Sequence, residues 1–117
     1  MVELDYYKGY EGEPELIVDI ESADGTHTRI RAWIGHLDAA MENYVAPPSG
    51  WDGISLHYHM ETGFYEEPWT DPNPSHSGAL LAKAVAADGA ASDWAMAMIQ
   101  ILQSAASAGD KVTWHVQ

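Results

Sequence analysis

Between residues 16 and 34 the chain alternates apolar and polar residues on both sides of one turn signal, and this pattern leaves little choice of local structure. Leu16, Val18 and Ile20 alternate with Ile17, Asp19 and Glu21, the period of a strand with one buried face. Ala23-Asp24-Gly25 supplies the turn, with Gly where a left-handed residue is wanted. Thr28, Ile30, Ala32 and Ile34 then alternate with His27, Arg29, Arg31 and Trp33. The two runs predict a hairpin. A loop at Ala23 to Gly25 sets Asp19 opposite Arg29, and a shift of one residue sets it opposite Arg31. Either register opposes the two arginines of the chain to acids, which makes Arg29 and Arg31 local charge partners rather than ligand-binding groups.

Elements on either side complete the outline. Asp5 to Tyr10 reads as a further strand, and His36 to Val45 as a short helix with Leu37, Ala40, Met41 and Tyr44 at helical spacing, stopped by Pro47 and Pro48. Ile54, Leu56, Tyr58 and Met60 alternate with Ser55, His57, His59 and Glu61, the clearest strand pattern in the sequence. Residues 62–78 form a 17-residue connection without periodicity, long for a compact domain and of the kind that carries function or disorder. A helix is expected from Ala79 to Ala87, capped by Ser77 and closed by Asp88-Gly89. Another is expected from Asp93 to Ala106, capped by Ser92 and ended by Gly109, with Trp94, Met98, Ile101, Leu102 and Ala105 as its buried stripe. Val112, Trp114 and Val116 mark a last strand. The order β-β-β-α-β-α-α-β predicts an α+β fold: an antiparallel or mixed sheet of four to five strands with about three helices mainly on one face. The alanines of the last two helices suit close packing, within the chain by default or along a homodimer seam.

The chain has 117 residues, the size of one domain spanning 1–117, and no cysteine, which removes disulfides and thiolate metal sites. Met1-Val2-Glu3-Leu4-Asp5 carries acid where a signal peptide would carry Lys or Arg, and the longest apolar stretch, Trp94 to Leu102, is too short to span a bilayer. A cytoplasmic protein is expected.

Eighteen acids face five bases, a formal net charge of −13. Spread evenly over roughly 6,300 Å², that charge would put fewer than two net charges under a partner footprint of ~800 Å². The charge is not even. Residues 1–24 carry eight acids against Lys8, net −7, and residues 61–71 carry Glu61, Glu66, Glu67 and Asp71 with no base, which leaves −2 for the rest. Such a field repels nucleic acid and anionic membranes and attracts a basic protein, although salt adaptation or solubility alone also produces acidity.

Within 62–78, Phe64, Tyr65, Glu66, Glu67, Pro68, Trp69, Asp71 and His76 interleave rings with carboxylates, and Trp51 lies in a neighbouring loop. Rings supply buried contact area and acids select a cationic partner, so Trp51, Phe64, Tyr65, Glu66, Glu67, Trp69, Asp71 and Glu61 are the expected partner-binding residues. The competing arrangement folds Phe64 and Trp69 back over the core. On a strand, His57 and His59 would share one face with Glu61 next, a set able to ligate a metal; strand alternation already explains polar residues there, so no metal and no cofactor is expected. Adjacent acids on a loop lack the separation glycosidase chemistry needs, Ser75-His76 is only a neighbouring pair, and no nucleophile-elbow, phosphate-loop or dinucleotide motif occurs, so the chain is not expected to be an enzyme. The expected function is an acidic inhibitor of the immunity-protein kind, neutralising a basic toxin such as a bacterial nuclease by covering its cationic surface. The alternatives are a DNA-mimic decoy, which requires carboxylates in a regular double row, and a small metal- or ligand-binding enzyme-like domain, which requires His57, His59 and Glu61 to converge.

Overall fold

The computed structural model describes residues 1–60, 63–65, 67–88 and 92–117. In chain order the elements are β1 (Val2–Tyr6), β2 (Glu15–Glu21), β3 (His27–Trp33), α1 (Ile34–Asn43), α2 (Ile54–Tyr58), β4 (Trp69–Thr70), α3 (Pro74–Asp88), α4 (Asp93–Ala108) and β5 (Lys111–Val116). The fold is α+β. Five strands form a mixed sheet in the order β1-β3-β2-β5-β4, with β1 parallel to β3 and the other pairs antiparallel.

The hairpin takes the register that sets Asp19 opposite Arg29. Gly25, at φ 88, makes the turn, and Asp24 accepts a hydrogen bond from the Thr26 N–H at 2.9 Å. Alternation then sorts the side chains. Leu16, Val18, Ile20, Ile30, Ala32, Val112, Trp114 and Val116 join Leu37 and Met41 of α1, Leu80, Leu81 and Ala84 of α3, and Trp94, Met98, Leu102 and Ala105 of α4 in the buried cluster. Ala84, Ala95 and Ala105 are buried within the chain, and a Cβ built on Gly78 of α3 would lie 3.4 Å from the Leu102 Cβ of α4. Among the described residues no helix is long and apolar enough to cross a membrane.

The other sheet face carries charge. Arg29 binds Asp19 through both carboxylate oxygens at 2.8 and 3.1 Å, and His27 reaches the same Asp19 at 3.0 Å. Arg31 donates to Glu15 at 2.7 Å and to Glu3 at 3.3 Å. Burial would raise the Asp19 carboxyl, but the hydrogen bonds and charges of Arg29 and His27 carry it below its ordinary value. Half-exposed pairs of this kind contribute ~0–1 kcal/mol each, so their main effect is to neutralise acids of the N-terminal segment.

Several elements sit elsewhere than the pattern suggested. β1 ends at Tyr6 because Asp5 accepts from the N–H groups of Tyr7 (2.8 Å) and Lys8 (3.0 Å), which bends the chain away from strand pairing. α1 begins two residues early, directly from β3. α3 begins at Pro74 rather than Ala79: Pro suits a first helical position, and Asn73 accepts from the His76 N–H at 3.2 Å. The expected cap, Ser77, lies inside α3, where its hydroxyl donates to Asp71. The fourth strand of the sheet is β4, not residues 54–60.

Asp71 joins three of these elements. It is 6% exposed and accepts from Ser77 Oγ of α3, from Trp114 Nε1 of β5 (3.1 Å) and from the Asn73 N–H (2.9 Å). Removing the carboxylate leaves buried donors unmatched, each costing about 1–3 kcal/mol. Asp71→Ala is therefore expected to lower unfolding free energy by about 3 kcal/mol in urea titration, with Asp71→Asn losing less. An unchanged midpoint for Asp71→Ala would show that the three bonds do not hold β4 against α3 and β5.

Candidate functional site

Residues 54–58 form about a turn and a half of helix, with 59 and 60 turning out of it, rather than a strand, and the reason is arithmetic. Apolar residues at every second position also satisfy the i, i+4 spacing of a helix. Ile54 and Tyr58 turn inward on α2, while Leu56 and Met60 point out and are about half exposed. Gly53, at φ 55, allows the chain to enter the helix, and the Ser55 hydroxyl, fully buried, donates to the Asp52 carbonyl at 2.7 Å.

The helix separates the two histidines that a strand would have aligned. His57 stacks on Trp69 at 4.8 Å with planes 13° apart, whereas His59 stacks on Trp51 at 4.0 Å and 9°. A carbonyl can only accept, so His59 Nδ1 donates to the Ser55 carbonyl at 2.8 Å. Glu61, the third member of the supposed set, lies outside the described residues. Among the described residues no group of three His, Cys, Asp or Glu side chains is placed to hold a metal ion.

Beyond α2 the chain runs along β5. The Phe64 carbonyl accepts from the Val116 N–H at 3.0 Å, Trp69 and Thr70 pair with Trp114 and Thr113, and the Asp71 N–H donates to the Val112 carbonyl at 2.8 Å. This docking decides which expected binding residues are available. Phe64 is 2% exposed, against Trp114 (ring centres 6.1 Å) and His57 (4.8 Å), so it belongs to the core. Asp71 is the buried clamp described above. Trp69 is half-buried under His57. An interface built on Phe64 and Asp71 is thus corrected: the extended strip that pairs with β5 turns both inward. Tyr65 (57% exposed), Trp51 (39% exposed) and Glu67 remain at the surface. Glu66, like Glu61, lies outside the described residues.

The surface residues meet others that the sequence did not single out. Ile34 and Asp38 of α1, Tyr58, Met60, Gly63, Phe64 and Tyr65 line a half-open groove of about 210 Å³. Tyr58 donates its hydroxyl to Asp38 Oδ1 at 2.5 Å. Burial foremost, then the Asp38 bond and the nearby charges of Asp38 and Glu42, push the Tyr58 hydroxyl far above its ordinary range, so it stays a donor. Rings continue away from the groove: Tyr58 to His59 at 5.0 Å, His59 to Trp51 at 4.0 Å, Trp51 to Tyr44 at 6.2 Å. Tyr44 in turn donates to Asp52 at 3.0 Å. A one-turn spacing signalled part of this, because Ile34, Asp38 and Glu42 fall on one stripe of a helix.

Charge follows the same division. Residues 32–82 contain no Lys or Arg and seven acids: Asp38, Glu42, Asp52, Glu61, Glu66, Glu67 and Asp71. On the open sheet face, in contrast, Glu3, Arg29 and Asp19 alternate in sign across one row. The N-terminal acids are partly neutralised by Arg29 and Arg31, whereas near α2 the His76 imidazole lies 3.4 Å from the Asp52 carboxylate and no Lys or Arg occurs from residue 32 to 82.

A second aromatic group staples the opposite end of α1. Tyr10 stacks on Trp33 at 4.5 Å, and His36 meets both edge-on and lies 6.4 Å from Trp94. Tyr10, His36 and Trp94 also line, with Tyr6, Lys8, Ser92 and Asp93, a second groove of about 390 Å³, in which Lys8 accompanies the acid. No family profile, curated protein or solved structure matches this chain.

His36 and His57 share one electrostatic property. Burial lowers the pKa of each, opposed weakly by Asp93 at His36 and by the Gly63 backbone at His57. His57 Nε2 is buried with no hydrogen-bond partner among the described residues, so a proton there is unwelcome. The unfolded chain therefore binds protons first, and stability is full above about pH 6.5 and falls as the pH drops through the window below it. Urea midpoints are expected to decline between about pH 7.5 and 5.5, with a shallower decline in His57→Phe. Parallel slopes for the two proteins would show that His57 is not a source of the dependence.

Proposed function

We propose that the chain is a binding protein rather than an enzyme, and that it neutralises a basic protein in the cytoplasm by covering that protein's cationic surface, as an immunity protein covers a toxin nuclease. The supporting observation is the coincidence, around α1 and α2, of exposed rings with acids that no Lys or Arg offsets. Trp51, His59, Tyr65 and Met60 offer contact area at modest entropic cost. Asp38, Glu42 and Asp52 beside them attract and orient a cationic partner without themselves supplying most of the affinity. The open sheet face suits this role less, because its acids are interleaved with Arg29 and Arg31. For the same reason it does not offer the unbroken carboxylate row that a mimic of DNA needs.

Capture from lysate of the native host tests the reading. At low salt the wild-type protein is expected to retain a protein of net positive charge. Its association should slow at least tenfold in about 0.5 M salt, where the Debye length falls to a few ångströms. Trp51→Ala and Tyr65→Ala should lose the partner while keeping the melting temperature, since both side chains are largely at the surface. Retention of a neutral or acidic protein, or equal retention by both variants, would overturn it.

A further inference from the structure

We infer that the groove between α1 and α2 receives one arginine side chain of the partner, a deepening that rests on the basic-partner reading above. Size sets the first limit. At about 210 Å³ the groove is smaller than the ~300 Å³ at which sites for drug-sized ligands begin, and it suits one long side chain.

Its chemistry sets the second. Tyr58 and Tyr65 bring aromatic rings, Met60 a polarisable thioether and Ile34 an aliphatic wall, all features against which a flat, weakly hydrated cation packs. Asp38 supplies the counter-charge. Its Oδ1 is occupied by the Tyr58 hydroxyl, while Oδ2 has no hydrogen-bond partner among the described residues. Asp38 thus brings a carboxylate to a groove whose lining joins apolar side chains to the Tyr58 hydroxyl, already committed to donation. Glu42, one turn along α1, adds to the negative potential felt at Tyr58.

Among the described residues no Lys or Arg lines this groove. Arg29 and Arg31 are bound to Asp19, Glu15 and Glu3 on the far face of the sheet, and no Lys or Arg occurs from residue 32 to 82. Arginine fits better than lysine. Its planar guanidinium stacks on rings while donating in its own plane toward Oδ2, whereas an ammonium gives up more hydration for a single free acceptor.

The test uses the whole chain with methyl-labelled methionine, observed by NMR during titration with N-acetyl-arginine amide. Met60 reports on the groove, and Met96, equally exposed on α4, reports on nonspecific attraction. A saturable Met60 shift in the millimolar range is expected, with Met96 unmoved. N-acetyl-lysine amide should bind at least threefold more weakly, and Asp38→Asn should weaken the arginine probe about tenfold. Tyr65→Ala, an exposed position that leaves the core intact, should weaken it as well and serves if Asp38→Asn does not fold. Equal shifts at Met60 and Met96, lysine binding as well as arginine, or a stronger response to N-acetyl-phenylalanine amide would each overturn the inference. Failure here with salt-sensitive capture of a basic partner would remove the arginine site and leave the proposed function. Success here with no basic partner captured would remove the proposed function instead.

Discussion

The buried carboxylate of Asp71 holds the candidate surface in place. A carboxylate taken from water without a cation is costly, and here three donors offset that cost: a hydroxyl from α3, an indole N–H from β5 and a backbone N–H of its own loop. The consequence travels back along the chain. With Asp71 fixed, Trp69 and Thr70 pair with β5, Phe64 enters the core beside Trp114, and His57 and Trp69 stack as a lid over it. Because His57 belongs to α2, this stack ties α2 to β4. Tyr58, Met60 and Tyr65 therefore face α1 from a supported position, although most of the intervening chain is loop.

Packing and charge divide the molecule in a related way. One sheet face is covered by α1, α3 and α4. The uncovered face consumes both arginines in pairs with Asp19, Glu15 and Glu3. Of the heavily acidic N-terminal block, Glu3, Glu15 and Asp19 are paired with the arginines of β3. Residues 32–82, where exposed rings also gather, carry seven acids and no Lys or Arg. A scaffold that balances charge on one side and leaves it unbalanced on another has the asymmetry a binding surface needs.

Legibility followed the range of the determining contacts. The hairpin, its register against Arg29 and the long α4 with Ser92 and Gly109 at its ends rest on neighbours within a few residues, and the sequence displayed them. Residues 54–60 misled because spacing by two contains spacing by four, and only burial distinguishes Ile54 and Tyr58 from Leu56 and Met60. Asp71 resembled one more solvated acid because its indole partner is 43 residues away. The groove was invisible for a similar reason: Ile34 and Asp38 come from α1, Tyr58 from α2, and Tyr65 from the strip beside β5. Trp51 and Tyr65 were identified as surface rings. Phe64 was not separable from them, because nothing local distinguishes a ring that docks on a strand from one that meets solvent.

The absence of Lys and Arg from residues 32–82 has a practical corollary. Trypsin cuts after basic residues, so it finds no cleavage point between Arg31 and Lys83, and α1, α2, β4 and the first part of α3 leave the digest as one long peptide. Reagents that attack amines find Lys8, Lys83 and Lys111 but nothing within that span. Immobilisation, fluorescent tagging or cross-linking through lysine therefore leaves the ring-and-acid surface chemically unmodified.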